Sequence, residues 1–94
     1  MAVNEGQGDR KVEVAVVTTS GSWPASGFNG VPERQPVKHE LEEAARHLGI
    51  VNTSGWIATV NGRQINSDAS YLENGLSGQI TIDFGPREGG GGRR

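Results

Sequence analysis

The chain has 94 residues, of which about a third are apolar and five are aromatic, so we expect one small domain with one thin core. It contains no cysteine, which excludes a disulfide framework, a thiol nucleophile and a zinc–cysteine site. The net charge of −2 comes from both signs mixed along the chain, so the sequence indicates no nucleic-acid or membrane partner. No apolar run approaches the roughly 20 residues of a membrane span. The first ten residues lack the apolar block of a signal peptide, so we expect a disordered lead over residues 1–10 and a cytoplasmic protein.

The first predicted element is a strand over Lys11–Thr19, in which three alternate valines share one face. The next stretch, SGSWPASGFNGVPERQP, is rich in Gly, Ser and Pro, which is typical of turns and irregular chain. Phe28 and Val31 indicate a short, irregular second strand within it, and Pro32 is expected to end that strand.

The stretch PVKHELEEAARHLGI predicts the main helix. Pro36 suits the first helical position, where its missing N–H costs nothing. Gly49 suits a left-handed cap at the other end. The apolar stripe of this helix consists of Val37, Leu41, Ala44, Ala45 and Leu48. Such a helix must bury its stripe against a sheet.

The polar face of this helix carries the other candidate side chains. We expect Glu40, Glu42 and Glu43 to lie in solvent, with Glu42 paired to Arg46 at i,i+4 spacing. The two histidines of the helix, His39 and His47, are interpreted as solvated, because helical metal pairs are usually four residues apart.

The second half begins with a hairpin. Its arms are Trp56–Val60 and Arg63–Ile65, and Asn61-Gly62 between them is typical of a type I′ turn. The Ser70-x-x-Glu73 spacing predicts a capping box in a short helical turn.

The last predicted strand is Gln79–Phe84, whose three apolar residues alternate with polar ones and face inward. The order is strand, weak strand, helix, strand hairpin, turn, strand. It predicts an α+β fold in which one main helix packs across a mixed sheet of four to five strands.

This order is that of the β-grasp fold, and GWIATVNGRQINSDASYLENGLSGQITIDF resembles the second half of ubiquitin. The first half, with VEVAVVTTSGS and a helix ending in HLGI, is similar more loosely. The resemblance spans roughly Lys11 to Gly92 and lies in element order, spacing and tail together. The chain also resembles the small ubiquitin-like proteins of bacteria that are encoded with homologues of an activating enzyme, a conjugating enzyme and a JAMM-type peptidase. The resemblance implies a β-grasp domain over residues 11–84 and a flexible glycine-rich tail over residues 85–94.

The resemblance also implies that the tail is the reactive part. In such modifiers the carboxylate of the terminal glycine is adenylated with ATP, passed to a cysteine of the activating enzyme as a thioester, and joined to a target. Arg93 and Arg94 follow the glycines here, which implies a precursor cut after Gly92, or alternatively after Gly90. Glycine suits a narrow enzyme channel because it has no side chain and adopts many backbone conformations. The tail residues expected to be recognised are Arg87, Gly89, Gly90, Gly91 and Gly92.

Some positions depart from ubiquitin. Two positions of its apolar reader-binding patch align with Thr59 and Asp83, which are polar and which we expect to face solvent, so we expect ubiquitin readers not to bind this protein. The basic position before ubiquitin's tail aligns near Gly85, and Arg87 is the nearest cation before the glycines. The first hairpin is longer than that of ubiquitin and carries Trp23. The tip of this hairpin is a candidate for a separate contact surface.

Two other function classes stay open. A sulfur carrier shares the β-grasp fold and a glycine terminus, and carries a thiocarboxylate made by a related activating enzyme. A plain interaction module would have the fold and an unreactive tail. We expect no catalytic residue, no metal and no bound cofactor in this chain. The resemblance to modifiers implies an activating enzyme, a conjugating enzyme and a processing peptidase as partners, and an unknown protein target.

Overall fold

The computed structural model describes residues 10–86, which form six strands and one helix. The strands are joined in one mixed sheet in the order β2–β1–β6–β4–β5, and β3 also pairs with β1. The elements are β1 (Lys11–Thr18), β2 (Gly21–Trp23), β3 (Asn29–Pro32), α1 (Val37–Leu48), β4 (Trp56–Val60), β5 (Arg63–Gln64) and β6 (Gln79–Pro86).

The centre of the sheet is the parallel pair of β1 and β6. Val14 lies opposite Ile80 and Val16 lies opposite Ile82. All four of these side chains are buried. The alternation of buried and exposed side chains in β6 favours this register, because a slip of one residue would turn its apolar side chains to the other face.

Helix α1 packs its stripe on this inner face, where Val37, Leu41 and Ala44 are buried. Pro36 lies one position earlier than predicted, as the extended N-cap residue with ψ of 139°. No side chain caps the start of the helix. Its first two N–H groups donate to backbone carbonyls of the loop between β5 and β6: Val37 N to Ala69 O at 3.0 Å, and Lys38 N to Ser67 O at 2.9 Å.

The helix ends at Leu48, and Gly49 forms the predicted left-handed cap with φ of 73°. The N–H of Gly49 bonds back to the carbonyls of the last turn. Leu48 itself is half-buried, so the apolar stripe is less covered at its C-terminal end.

The weak strand predicted around Phe28 and Val31 is one part of a divided sheet edge. Strands β2 and β3 both pair antiparallel with β1, β2 beside its end and β3 beside its beginning. Val31 is buried and β3 ends at Pro32, as expected, whereas Phe28 lies outside the strand and is exposed. The division of this edge is why the sheet has six strands rather than the expected four to five.

The local signals in the second half form as predicted. Asn61 and Gly62 both have positive φ, 54° and 79°, as a type I′ turn requires. Ser70 N donates to Glu73 Oε1 at 2.9 Å, and Glu73 N donates to Ser70 Oγ at 3.0 Å, which is the reciprocal capping box. A turn rather than a helix follows it, ending by Gly75.

Two expectations for the glutamates of α1 are wrong. Glu40 is only 5% exposed, and its carboxylate accepts a hydrogen bond from Asn29 Nδ2 at 2.9 Å. Arg46 pairs with Glu43 rather than with Glu42, one residue closer along the helix. The hydrogen bond between Arg46 and Glu43 lowers the pKa of the Glu43 carboxyl and raises that of the Arg46 guanidinium.

Candidate functional site

The predicted tail, residues 85–94, starts within β6, which ends at Pro86. The processing and recognition positions lie outside the described residues: Arg87, Gly89, Gly90, Gly91, Gly92, Arg93 and Arg94. The structure describes the base of this tail, Gly85 and Pro86, and the sheet around it. The candidate site is therefore built from the last residues of β6.

Strand β6 continues two residues past Phe84, into positions predicted to belong to the tail. Gly85 lies opposite Ile57 and Pro86 lies opposite Trp56. Strand β4 supplies the backbone for this pairing, because it extends as far as Trp56 beside the end of β6. Phe84 is anchored from the inner side, where its ring meets that of Trp56 edge to face at a centroid distance of 5.0 Å. The last described residues of the chain are thus held in the sheet.

The outer face beside this exit carries the two positions predicted to be polar and solvent-facing. Val17, Asp83 and Thr59 form one row across β1, β6 and β4. Asp83 is exposed, as predicted, and Thr59 is half-buried. Val17 is 38% exposed and Ile57 is half-buried in the next row. The outward position of Val17 in β1 already indicates from the sequence that this face is partly apolar, whereas Ile57 is not identified from the sequence.

A shallow concavity of about 560 Å³ lies on this outer face at the end of β6. A Cβ built on Gly85 meets no atom within 4 Å, so glycine at this position leaves open surface. Residues that line the concavity include Val17, Thr19, Ile57, Thr59, Asp83 and Pro86. The base of the tail therefore adjoins an accessible surface with one carboxylate at its centre.

The other candidate side chains lie on the far side of the sheet. His39 is exposed, as expected. His47 stacks flat on Trp23, with ring centroids 3.7 Å apart and an angle of 6° between the planes. Sequence spacing could not find this contact, because it joins the helix to the first hairpin. Within residues 10–86 no group of three His, Asp or Glu side chains is placed to hold a metal ion. In the same range no helix has the length and apolar character needed to cross a bilayer.

Comparison with known proteins identifies the fold. No family model matches the sequence, and no curated protein matches it. A de novo design based on ubiquitin superposes with a TM-score of 0.63 at 19% identity, over 88% of this chain and 96% of the design. The fold is the ubiquitin-like β-grasp. The N-terminal ubiquitin-like domain of the 4931431F19Rik protein also matches this β-grasp chain, with a TM-score of 0.60 at 15% identity, over 100% of this chain and 94% of that domain.

Proposed function

We propose that this chain is the precursor of a ubiquitin-like protein modifier of the bacterial type, acting in the cytoplasm. A peptidase, for which a JAMM-type enzyme is the leading candidate, removes Arg93 and Arg94 and leaves Gly92 with a free carboxylate. The observation that carries the proposal is a β-grasp domain whose last strand is held in the sheet through Pro86 and leads into a run of four glycines.

The chemistry requires the carboxylate of a terminal glycine. A carboxylate oxygen of Gly92 attacks the α-phosphorus of ATP and releases pyrophosphate, and a cysteine thiolate of the activating enzyme then displaces AMP to give a thioester. A target nucleophile displaces that thiol after transfer to the conjugating enzyme. In the precursor the Gly92 carbonyl carbon is bonded to the Arg93 nitrogen as an amide. Gly92 therefore has no carboxylate oxygen that could be adenylated. Removal of Arg93 and Arg94 must therefore come first.

The chain's own contribution is presentation rather than catalysis. The folded domain offers its partners a rigid surface. The pairing of β6 with β4 fixes the position and direction in which the tail starts at Pro86. The glycines beyond supply backbone with no side chains, so that an enzyme can hold the tail extended in a narrow channel. Arg87 is the cation nearest to the domain in this tail.

Adenylation by a candidate activating enzyme encoded beside this gene tests the proposal. The substrates are the full chain and a variant ending at Gly92, each incubated with ATP and labelled pyrophosphate. We expect ATP–pyrophosphate exchange and a thiol-sensitive enzyme adduct only with the variant ending at Gly92. The full chain should become active after treatment with the neighbouring peptidase. Equal exchange with both substrates would contradict the need for processing.

A matched pair of glycine variants separates the tail from the domain. In the chain ending at Gly92, Gly92→Ala places a β-carbon in the enzyme channel and should slow exchange. Gly85→Ala adds the same methyl group at the base of the tail, where no atom lies within 4 Å, and should not. Formation of a thiocarboxylate instead of a protein conjugate would assign the chain to the sulfur carriers. Absence of any exchange would favour the unreactive interaction module.

A further inference from the structure

Three asparagines of this chain are followed directly by glycine: Asn29, Asn61 and Asn74. An asparagine in such a pair is chemically labile, because the next backbone nitrogen can attack its side-chain amide and glycine has no side chain to hinder the approach. The three pairs are equal in sequence but lie in different places: an edge strand, a hairpin turn and a capped turn. Their native surroundings therefore decide which of them reacts.

Hydrogen bonds hold both ends of the Asn74 pair. Nδ2 of Asn74 donates to the carbonyls of Asn66 at 2.8 Å and Ser70 at 2.9 Å, and its Oδ1 accepts from Asn66 N at 2.9 Å. The nitrogen that would attack, Gly75 N, donates to Leu72 O at 3.0 Å. Because all of these bonds must break before the reaction can occur, the opening that it requires is costly.

Asn29 is held by one side-chain hydrogen bond and by its strand. Its Nδ2 donates to Glu40 Oε2 at 2.9 Å, and Glu40 is almost fully buried. Asn29 also lies opposite Val14 in the antiparallel pair of β3 and β1. A carboxylate formed at Asn29 would face the carboxylate of Glu40, and two like charges in a covered place repel each other. The native structure therefore opposes reaction at this position.

Asn61 has none of these restraints. Its side chain is exposed and hydrogen-bonds to none of the described residues. Within the described chain, Gly62 N donates to no backbone carbonyl, and a Cβ built on Gly62 meets no atom within 4 Å. Strand β5, which follows the turn, has only two residues, both exposed, and lies at the edge of the sheet. The turn can therefore open and bring Gly62 N to the side chain of Asn61 without disturbing the core.

We propose that Asn61 is a site of spontaneous deamidation, which the fold selects over Asn29 and Asn74. Gly62 N forms a bond to Cγ of Asn61, the bond from Cγ to Nδ2 breaks, and the amide nitrogen leaves as ammonia with the proton of Gly62 N. The product is a succinimide ring, which water opens at either carbonyl to give aspartate or isoaspartate. The reaction does not involve the glycine tail, so it goes beyond the proposed conjugation and does not depend on it.

The two products differ in their effect on the hairpin. Aspartate leaves the backbone unchanged and tolerates a left-handed φ as asparagine does, so it only adds a negative charge. Isoaspartate carries the chain through the side-chain methylene and lengthens a turn whose two φ angles, 54° and 79°, define its type. The pairing of Val60 with Arg63 depends on that turn. We therefore expect isoaspartate at position 61 to detach β5 from β4.

Incubation of the full chain at mildly alkaline pH, followed by trypsin digestion and mass spectrometry, tests the proposal. Trypsin places the three asparagines on separate peptides, residues 12–34, 47–63 and 64–87. Exchange of an amide for a carboxyl group raises the peptide mass, and fragmentation assigns the residue. We expect product at Asn61 to form at least about tenfold faster than at Asn29 or Asn74. Labelling by an isoaspartyl methyltransferase distinguishes isoaspartate from aspartate.

Two controls separate the effect of structure from that of sequence. In concentrated guanidinium chloride the three pairs lose their native bonds, and we expect them to react at rates within about threefold of one another. The Asn61→Gly variant keeps a residue that accepts the positive φ of the turn. It should fold like the wild type and form no product at position 61, while the slow reactions at Asn29 and Asn74 stay unchanged.

Equal rates at the three sites of the folded chain would show that the fold does not select Asn61. A faster reaction at Asn29 or Asn74 would overturn the assignment. So would the lack of product at Asn61 in the folded chain over a period in which all three sites react in the denatured chain. None of these outcomes bears on the adenylation of Gly92, so failure here and failure of the proposed conjugation are distinguishable.

Discussion

Asp83 of β6 lies directly opposite Thr59 of β4, and Val17 of β1 flanks Asp83 on the other side. The Asp83 carboxylate thus places a charge between the apolar side chain of Val17 and the half-buried Thr59. A charge in this position makes docking of an apolar partner costly, because the carboxylate would have to leave water without a partner. We therefore expect this row to limit which proteins can bind the outer face.

Replacement of the polar pair should therefore change the binding properties of this face. We expect the wild-type chain not to bind a domain that reads the apolar patch of ubiquitin, and Thr59→Ile/Asp83→Val to gain measurable affinity in calorimetric titration. Thr59→Ile alone keeps the charge of Asp83 and serves as the matched control. Binding of the wild-type chain as tight as that of the double variant would show that the row does not select partners.

Leu41 is the central residue of the helix stripe and is 4% exposed. Leu41→Ala should lower the free energy of unfolding by about 2–5 kcal/mol, because it removes a buried side chain and leaves a cavity. Glu42→Ala, at the adjacent exposed position, should change it by less than about 0.5 kcal/mol. Urea unfolding followed by tryptophan fluorescence measures both. A small effect of Leu41→Ala would mean that the helix does not pack across the sheet as described.

Gly49 tests the helix cap. Its φ of 73° lies in the left-handed region, so Gly49→Ala should cost about 1–2 kcal/mol of stability. Gly30→Ala is the control, since Gly30 has no positive φ and open space around it, and it should cost little. Equal losses for the two variants in thermal unfolding would argue against strain at the cap.

The single tyrosine of the chain predicts a loss of stability at high pH. Burial, together with the charge of Glu40, raises the pKa of the Tyr71 phenol in the folded state. The unfolded phenol titrates near pH 10. A raised folded pKa stabilises the fold fully below that pH, and the stabilisation is lost as the pH rises above it. Urea unfolding across this range should show the decline in the wild-type chain.

Tyr71→Phe is the control for this titration. Its stability should fall less above pH 10, and at neutral pH it should unfold within about 1 kcal/mol of the wild type, because the Tyr71 hydroxyl has no hydrogen-bond partner among the described residues. A parallel decline in both proteins would assign the alkaline loss to other groups.

Local patterns in the sequence were sufficient to predict much of the fold. The alternation in β1 and β6 determines which faces are buried, and Asn61-Gly62 determines the hairpin register, because each depends on residues close in the chain. Asp83 was correctly placed in solvent for the same reason. The helix bounds were also near those observed, with Pro36 one position outside.

The features that the sequence did not predict depend on contacts between distant segments. Glu40 is buried because Asn29, eleven residues earlier, reaches its carboxylate. Gly85 belongs to β6 because β4 is long enough to pair with it. Trp23 stacks on His47 because the first hairpin brings it against the helix. No periodicity within one element contains this information.

The proposed function requires that this protein is joined to others through Gly92. Mass spectrometry of the endogenous protein, purified from cells that express it from its own gene and digested without prior thiol treatment, tests this most directly. We predict a tail peptide that has lost Arg93 and Arg94 and whose Gly92 carbonyl is linked to a nucleophile of another protein. Recovery of conjugated or functional protein in which Arg94 is still attached would contradict the claim, whereas a linkage through Gly90 would move the site by two residues and leave the mechanism in place.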